Sequence, residues 1–490
     1  MSVSAPFIPP RRALTLFAAL AMFMVVASYL LIFILAIACV YIPWLVIGNS
    51  SNFQTLALLI AGVIVSASML WSLVPRRNKF VPPGLLLDRS VHPRLFSEID
   101  DIASALREPL PREVYLIAEP NAWVADRGGV LGIGSWRIMG LGLPLLSAMN
   151  VSQFRAILAH EFAHYYGGDT RLGPWLRRAQ MAMIRTFQTM GSAGKAMRVA
   201  IMQVPHIVVF GILKWYWQLF LRAINFVSRR QEFRADELAC IVAGPESLVS
   251  GLQIVHGATL AWPAYWNQEV APMLNAGFLP SIAVGFTQFM AAPFVSTQVK
   301  KQIEAEIRTG KEHVFDSHPR LRDRIAAAQA LPTRSLPCNS QPAWGLLNDE
   351  AAWDLAFLRT FNAESPINAL KRVPWEEHAT TVLIPAWTAF VTEYISLLEG
   401  ITVQNLWESL GKIPQIATEI RDPKGMLLSH EQRLERARSL LAMALGTALI
   451  QRGWTLHSRP GELYIEHGGQ RINPFLLIHR LSDGQITNEE

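Results

Sequence analysis

Hydrophobic positions dominate the start of the chain without a break. Residues 13–75 contain no Asp, Glu, Lys, Arg or His, a run of 63 residues. A bilayer core takes about 20 apolar residues per helix, so this run holds two spans. Its only polar punctuation, Gly48-Asn49-Ser50-Ser51-Asn52, reads as the turn of a helical hairpin. The pattern predicts transmembrane helices over about residues 13–47 and 53–74. The first exceeds what a perpendicular helix needs, which predicts a tilt, a kink near Pro43 or a protruding end. A cleaved signal peptide fits poorly, because its apolar stretch is shorter and no second span follows it at once. Arg11 and Arg12 precede the run, and Arg76, Arg77 and Lys79 follow it. Both basic flanks belong on the cytoplasmic face, and two spans put them there.

The pattern then changes period. Phe96, Ile99, Ile102, Ala103 and Leu106 recur at helical spacing within a linker over residues 80–115, and Val114-Tyr115-Leu116-Ile117 reads as a strand. The glycine-punctuated residues 128–143 predict short strands and turns. From Ser152 the helical period returns, with Phe154, Ile157, Leu158 and Phe162 on one side. A Pro-rich stretch over residues 331–342 marks a boundary. Beyond it the pattern predicts a helix over residues 427–452 and a hairpin over 454–472 turning at Gly468-Gly469. The fold class expected is mainly α with a small β-sheet (α+β). It comprises a membrane anchor over residues 1–79, a central domain over 80–330, a linker over 331–342 and a C-terminal α+β module over 343–490.

Composition narrows the possibilities. The chain has 490 residues, 51% of them hydrophobic and only 17% charged. A chain this apolar can offset its ordering entropy, which excludes disorder. Three cysteines cannot staple a protein of this size, and their scarcity fits a reducing, cytosol-facing compartment. The net charge of +6 suits anionic lipid or nucleic acid. The basic clusters lack the interleaved aromatics of a nucleic-acid surface, so no nucleic-acid partner is expected. No glycine-rich phosphate loop is present.

The chemistry is concentrated at His160-Glu161-Phe162-Ala163-His164, an HExxH on a predicted helix. The i, i+4 spacing sets both imidazoles on one helical face, close enough for a single Zn²⁺, one per chain. Glu161 is then beside a metal-bound water whose pKa the ion lowers toward ~7. An amphipathic helix with two solvated histidines is the plain alternative, and a third ligand decides between them. The extended HExxHxxGxxH pattern fails: Gly167 fits, but Thr170 stands at the third histidine position. The best remaining candidate is Glu232, with Asp236 at i+4 in the charged segment SRRQEFRAD. One carboxylate could bind metal while the other orients a ligand histidine. The alternative for this run is a solvated helix face. Tyr165 and Tyr166 could donate to a developing oxyanion, although buried aromatics are more often core.

At this point the sequence resembles the HtpX-like and CAAX-prenyl-protease family of integral-membrane zinc metallopeptidases. The resemblance is carried in order by Pro120-Asn121-Ala122, the Gly-Leu-Pro-Leu-Leu run at 142–146, AILAHEFAHYYGGD at 156–169, SRRQEFRADELA at 228–239 and SHPRLRDRI at 317–325. It covers roughly residues 80–330. The resemblance implies a zincin-like domain with zinc held by His160, His164 and Glu232 and Glu161 as general base. It also implies Asp236 behind a ligand histidine, and Asn121 and Ala122 beside the strand that pairs with substrate. His318 would reach the site to stabilise the oxyanion, against the alternative that His-Pro is an ordinary helix start.

Relatives of the HtpX type place two further spans between the second histidine and the glutamate. Here residues 171–203 carry six basic side chains, too many for a span. If His164 and Glu232 share one ion, the intervening chain crosses an even number of times. One span is therefore forbidden, and two are opposed by composition. The expectation is none, with residues 204–227 a buried or interfacial helix. Residues 270–299 are uncharged but broken by Pro272, Gly277, Pro280, Gly285 and Pro293, and read as irregular chain.

The functional expectation is a multi-pass, membrane-anchored zinc endopeptidase of a bacterial inner membrane, facing the cytoplasm. Its partners are the lipid bilayer and protein or peptide substrates, namely membrane-associated or misfolded proteins. Two alternatives stay open: a processing protease of narrow specificity, and a non-proteolytic scaffold that keeps the fold.

Overall fold

The computed structural model describes residues 12–49, 52–74, 80–130, 133–165, 173–196, 200–310, 318–332, 337–360, 369–421 and 428–485. The basic flank at Arg11, Arg76, Arg77 and Lys79, the loop residues Ser50 and Ser51, and Tyr166, Gly167 and Thr170 lie outside them. The chain divides into two units, Met1–His256 with Ile303–Asn348, and Gly257–Gln302 with Asp349–Glu490. The sequence pattern predicts a membrane anchor over residues 1–79, a domain over 80–330 and, after a linker at 331–342, a C-terminal module. The structure instead groups residues 257–302 with the C-terminal part.

In the first unit the uncharged run becomes α1 (Arg12–Asn49) and α2 (Phe53–Leu73). Asn52 starts α2 with a reciprocal cap, its side chain accepting from the Thr55 amide while Thr55 Oγ1 accepts from the Asn52 amide. Close approach of the two helices depends on Gly62, where a Cβ would lie 1.9 Å from the Cys39 carbonyl oxygen.

The sheet follows: β1 (Leu85–Leu86), α3 (Pro93–Leu106), β2 (Glu113–Ile117), β3 (Ala122–Val130) and β4 (Ile133–Gly142). The strand order is β1-β2-β4-β3, with β2 and β4 parallel and the other pairs antiparallel. Among the described residues β3 is therefore an edge. The glycine-punctuated segment forms one long hairpin, in register Ala122↔Leu141 and Val124↔Met139. α3 buries Phe96, Ile99, Ile102, Ala103 and Leu106, the stripe expected from its spacing.

Next come α4 (Leu143–Ala148), α5 (Val151–Ala163), α6 (Gly173–Ala196), α7 (Ala200–Ala243) and α8 (Pro245–Tyr265). Here the structure corrects the expectation for residues 171–227. α6 and α7 pack along α1 and α2 in one apolar cluster that includes Ile32, Met69, Ala179, Met183, Met190, Leu213 and Phe220. Thr186 of α6 bonds to Ser72 of α2 at 2.7 Å, and both are buried. Four of the six basic residues counted against a span, Arg177, Arg178, Arg185 and Lys195, share α6 with a seam of small and apolar residues at helical spacing, which a charge count does not reveal. Among the described residues, three helices are long and apolar enough to cross a membrane, Met22–Val46, Phe53–Leu73 and Met202–Ala243, or four if the bent pair Ile282–Ala291 and Pro293–Thr309 is one span. The third extends the two that the sequence predicts. Its Ile207, Val208 and Trp215 are exposed, as lipid-facing side chains are.

The chain then passes through α9 (Ala271–Asn275), β5 (Phe278–Leu279), α10 (Ile282–Ala291) and α11 (Pro293–Thr309) to α12 (Leu321–Gln329). Residues 270–299 are thus largely helical. The sequence reads them as irregular because Pro272 and Pro293 stand at helix starts, where a missing N–H costs nothing. α10 and α11 meet at a bend of 72°.

The second unit is built on Trp375, which is fully buried and donates through Nε1 to the Ser281 carbonyl at 2.8 Å. A Cβ on Gly285 would sit 2.3 Å from the Tyr265 hydroxyl, so only glycine fits beneath these rings. β6 (Lys371–Arg372) pairs with β5, and α13 (Glu350–Arg359), α14 (Ile384–Glu393), α15 (Leu406–Ser409) and α16 (Ile413–Glu419) follow. α17 (His430–Gln451) matches the expected helix. Strands β7 (Thr455–Arg459), β8 (Glu462–His467) and β9 (Gln470–Ile472) form a three-stranded meander with a first turn at Gly461, one strand more than the predicted hairpin. α18 (Pro474–Ser482) ends the described chain.

Candidate metal centre

The site rests on two helices. Asn150 caps α5 reciprocally with Gln153, fixing where the helix begins and hence which way its last turn faces. That last turn carries His160 and Glu161, and His164 closes it. α7 packs against α5. Buried alanines at 156, 159 and 163 on α5 and at 235 and 239 on α7 leave room for the backbones to come close.

Three side chains converge between them, each imidazole facing a different oxygen of Glu232. His160 Nε2 lies 3.2 Å from His164 Nε2 and 3.5 Å from Glu232 Oε2, and His164 Nε2 lies 3.5 Å from Glu232 Oε1. Bonds of about 2.0–2.2 Å to a tetrahedral zinc put neighbouring ligand atoms roughly 3.3–3.5 Å apart. The set fits that ion. Glu161 offers an oxygen within 4.8 Å of a ring nitrogen of each imidazole, and these three side chains form a second metal-capable group. Glu232 Oε2 is buried without a hydrogen bond, a lone pair with no donor of its own, although His318 Nδ1 approaches to 3.0 Å.

The surroundings tune these groups. Asp236 Oδ1 accepts from His160 Nδ1 at 2.9 Å, which leaves Nε2 free to face the other two donors. Burial opposes charge on His160, but its bonds to Asp236 and Glu232 outweigh that and hold its pKa up at about 9. Burial pushes His164 down to about 4 and Glu161 up to about 7, so Glu161 titrates near neutrality. The Glu232 contact raises His318, whose side chain is 66% exposed at the rim.

Five of the expected site residues thus meet at one point, with Asp236 behind His160. Ala122 begins the edge strand β3, and the Asn121 carbonyl accepts from the Gly142 amide at 2.8 Å, fixing the strand's start. Tyr165 is buried and its hydroxyl is committed to the Val124 carbonyl at 2.7 Å, which removes it as an oxyanion donor. Sequence reasoning missed Arg324. The run Arg320-Leu321-Arg322-Asp323-Arg324 reads as solvated, yet α12 buries Leu321, Arg324 and Ala328 as one stripe. The i, i+3, i+7 spacing was the available signal, masked by the residue type.

Comparison with known proteins bears on the same residues. The sequence model of peptidase family M48 matches residues 90–331, which contain every one of these groups. Residues 90–331 are an HtpX-like domain of peptidase family M48. The chain is 26% identical over 172 residues to Protease HtpX of Idiomarina loihiensis, covering 32% of this chain and 55% of that protein. It is 24% identical over 237 residues to a Protease HtpX homolog of Prosthecochloris aestuarii, covering 45% and 66%. A homolog from Campylobacter concisus is 26% identical over 293 residues, covering 58% of this chain and 89% of its own length. The chain thus spans about half to two thirds of the first two of these relatives. No solved structure matches it. The M48 match ends at residue 331, so most of the second unit of the chain lies outside it.

Proposed function

We propose that this chain is a membrane-anchored zinc endopeptidase that hydrolyses membrane-associated or misfolded proteins on the cytoplasmic side of a bacterial inner membrane. The observation that carries the reading is the convergence of His160, His164 and Glu232, whose nearest donor atoms stand 3.2–3.5 Å apart, each imidazole facing a different Glu232 oxygen. These residues hold the ion, which when bound supplies Lewis acidity to a water and to the scissile carbonyl. Glu161, with a pKa lifted to about 7, takes the proton of the attacking water and returns it to the leaving amine. Asp236 keeps the His160 ring in place from behind. His318, exposed at the rim, donates to the charge that develops on the carbonyl oxygen. An extended substrate adds to the edge of β3 near Asn121 and Ala122, and main-chain pairing gives broad specificity. The helices of the first unit keep the site beside the bilayer, with His164 and Glu232 on the same side of it.

Zinc content of the purified chain, with and without Glu232→Ala, tests the centre. Near-stoichiometric metal in the wild type and a large loss in the variant is the expected result; equal binding removes Glu232 from the ligand set. Proteomes of cells carrying wild type or Glu161→Gln then test the activity. Many accumulating membrane proteins support the broad protease. A single one means narrow processing, and none means a scaffold.

A further inference from the structure

Arg324 has no part in the scheme above, yet it is only 6% exposed and lies against the metal centre. Its Nε donates to Asp236 Oδ2 at 2.8 Å and its Nη2 to Oδ1 at 2.6 Å. Oδ1 is the oxygen that also accepts from His160 Nδ1 at 2.9 Å. Nη1 stands 3.5 Å from Glu232 Oε2. Burying a guanidinium costs several kcal/mol of hydration, and only a well-aligned, hydrogen-bonded partner offsets it. An apolar side chain would fill the stripe between Leu321 and Ala328 without that cost, so what Arg324 touches must explain the residue type.

Asp236 bonded to His160 alone could turn about its last torsion. The two-pronged bond from Arg324 removes that freedom, because each carboxylate oxygen already accepts a hydrogen from the guanidinium. Oδ1 can then only accept from Nδ1, and the Nε2 lone pair of His160 is left aimed at the other donors.

We infer that Arg324 is a positioning residue of the metal centre: acting through Asp236, it fixes the tautomer and direction of His160 and so sets the affinity of the site for a divalent cation. The inference rests on the proposed ligands His160, His164 and Glu232. The test is a chelator competition for zinc on the full chain in lipid nanodiscs, with wild type, Glu232→Ala, Arg324→Met, Arg324→Lys, Asp236→Asn and the Arg324→Met/Asp236→Asn double variant, and with visible spectra of the cobalt-loaded forms. Arg324→Met is expected to weaken binding about 10–100-fold and to shift the cobalt bands. Arg324→Lys should recover part of the loss, and the double variant should bind about as weakly as Asp236→Asn alone. Wild-type affinity in Arg324→Met, or additive losses in the double variant, overturns the inference while leaving the Glu232→Ala result intact. Should Arg324→Met fail to fold, wild-type affinity in Arg324→Lys overturns it equally, since lysine cannot make both bonds. A wild type that binds no zinc, or a Glu232→Ala that binds as well, removes the ligand assignment itself and this inference with it.

Discussion

The hydroxyl of Tyr165 donates to the carbonyl oxygen of Val124 at 2.7 Å, tying the residue after His164 to the edge strand β3. The Arg137 guanidinium lies 4.4 Å from the centre of the same ring, and Arg137 also pairs with Glu108 at 2.7 Å. The strand proposed to receive substrate is therefore bolted to the helix proposed to hold the ion. Tyr165→Phe removes one buried hydrogen bond, at a cost of about 1 kcal/mol or somewhat more. It should raise KM for peptide substrates several-fold with little change in kcat, as steady-state assays would register. A fall in kcat at constant KM would contradict a role in holding the strand.

Glu161 and His164 should separate metal from chemistry. Glu161→Gln is expected to retain zinc while peptide hydrolysis falls about 10²–10⁴-fold, the range that proton transfer by a side chain supplies. His164→Ala should lose both metal and activity. Metal analysis beside a peptidase assay checks the pair. Hydrolysis by Glu161→Gln at the wild-type rate would require another base.

Gly62 is the tightest point of the membrane hairpin, with the Cys39 carbonyl where a side chain would begin. Gly62→Val should force the helices apart and destabilise the first unit by about 1–3 kcal/mol, as overpacking does. A lower melting temperature in detergent would report this. An unchanged melt would mean that the contact is looser than 1.9 Å implies.

Asp354 gives the second unit a pH dependence. It is fully buried, one oxygen accepts from Arg372 at 3.2 Å and the other has no hydrogen bond, and burial lifts its pKa from 3.8 to about 8. Between those values the folded form keeps a proton that the unfolded form has released. Stability of this unit should therefore fall as pH rises from about 4 to about 8 and level off above. Asp354→Asn should flatten that slope in denaturant titrations at pH 5 and pH 8. An equal slope in the variant would assign the effect elsewhere.

Much of this was legible in the residues. The uncharged run gave both helices of the hairpin, and the spacings of α3 and α5 named the sides they bury. The five converging groups followed from two i, i+4 pairs and a family likeness, because helical spacing fixes geometry within one helix. What spacing cannot give is the partner of a polar face. Thr186 and Ser72 find each other across 114 positions, and Arg324 finds Asp236 across 88. In both, a residue type that signals solvent is buried because a distant one satisfies it. The prolines of residues 270–299 misled for a simpler reason: the same residue breaks a helix or begins one according to its position.

α7 runs unbroken from Ala200 to Ala243, so Phe220, packed in the apolar cluster, and Glu232 belong to one rod, about 18 Å apart along its axis. A rod transmits displacement. Bilayer thickness or tension that tilts its lower half must carry the Glu232 carboxylate with it, while His160 and His164 ride on a separate helix. Such a tilt would change the spacing of the three proposed ligands, which ties the site to the lipid around it.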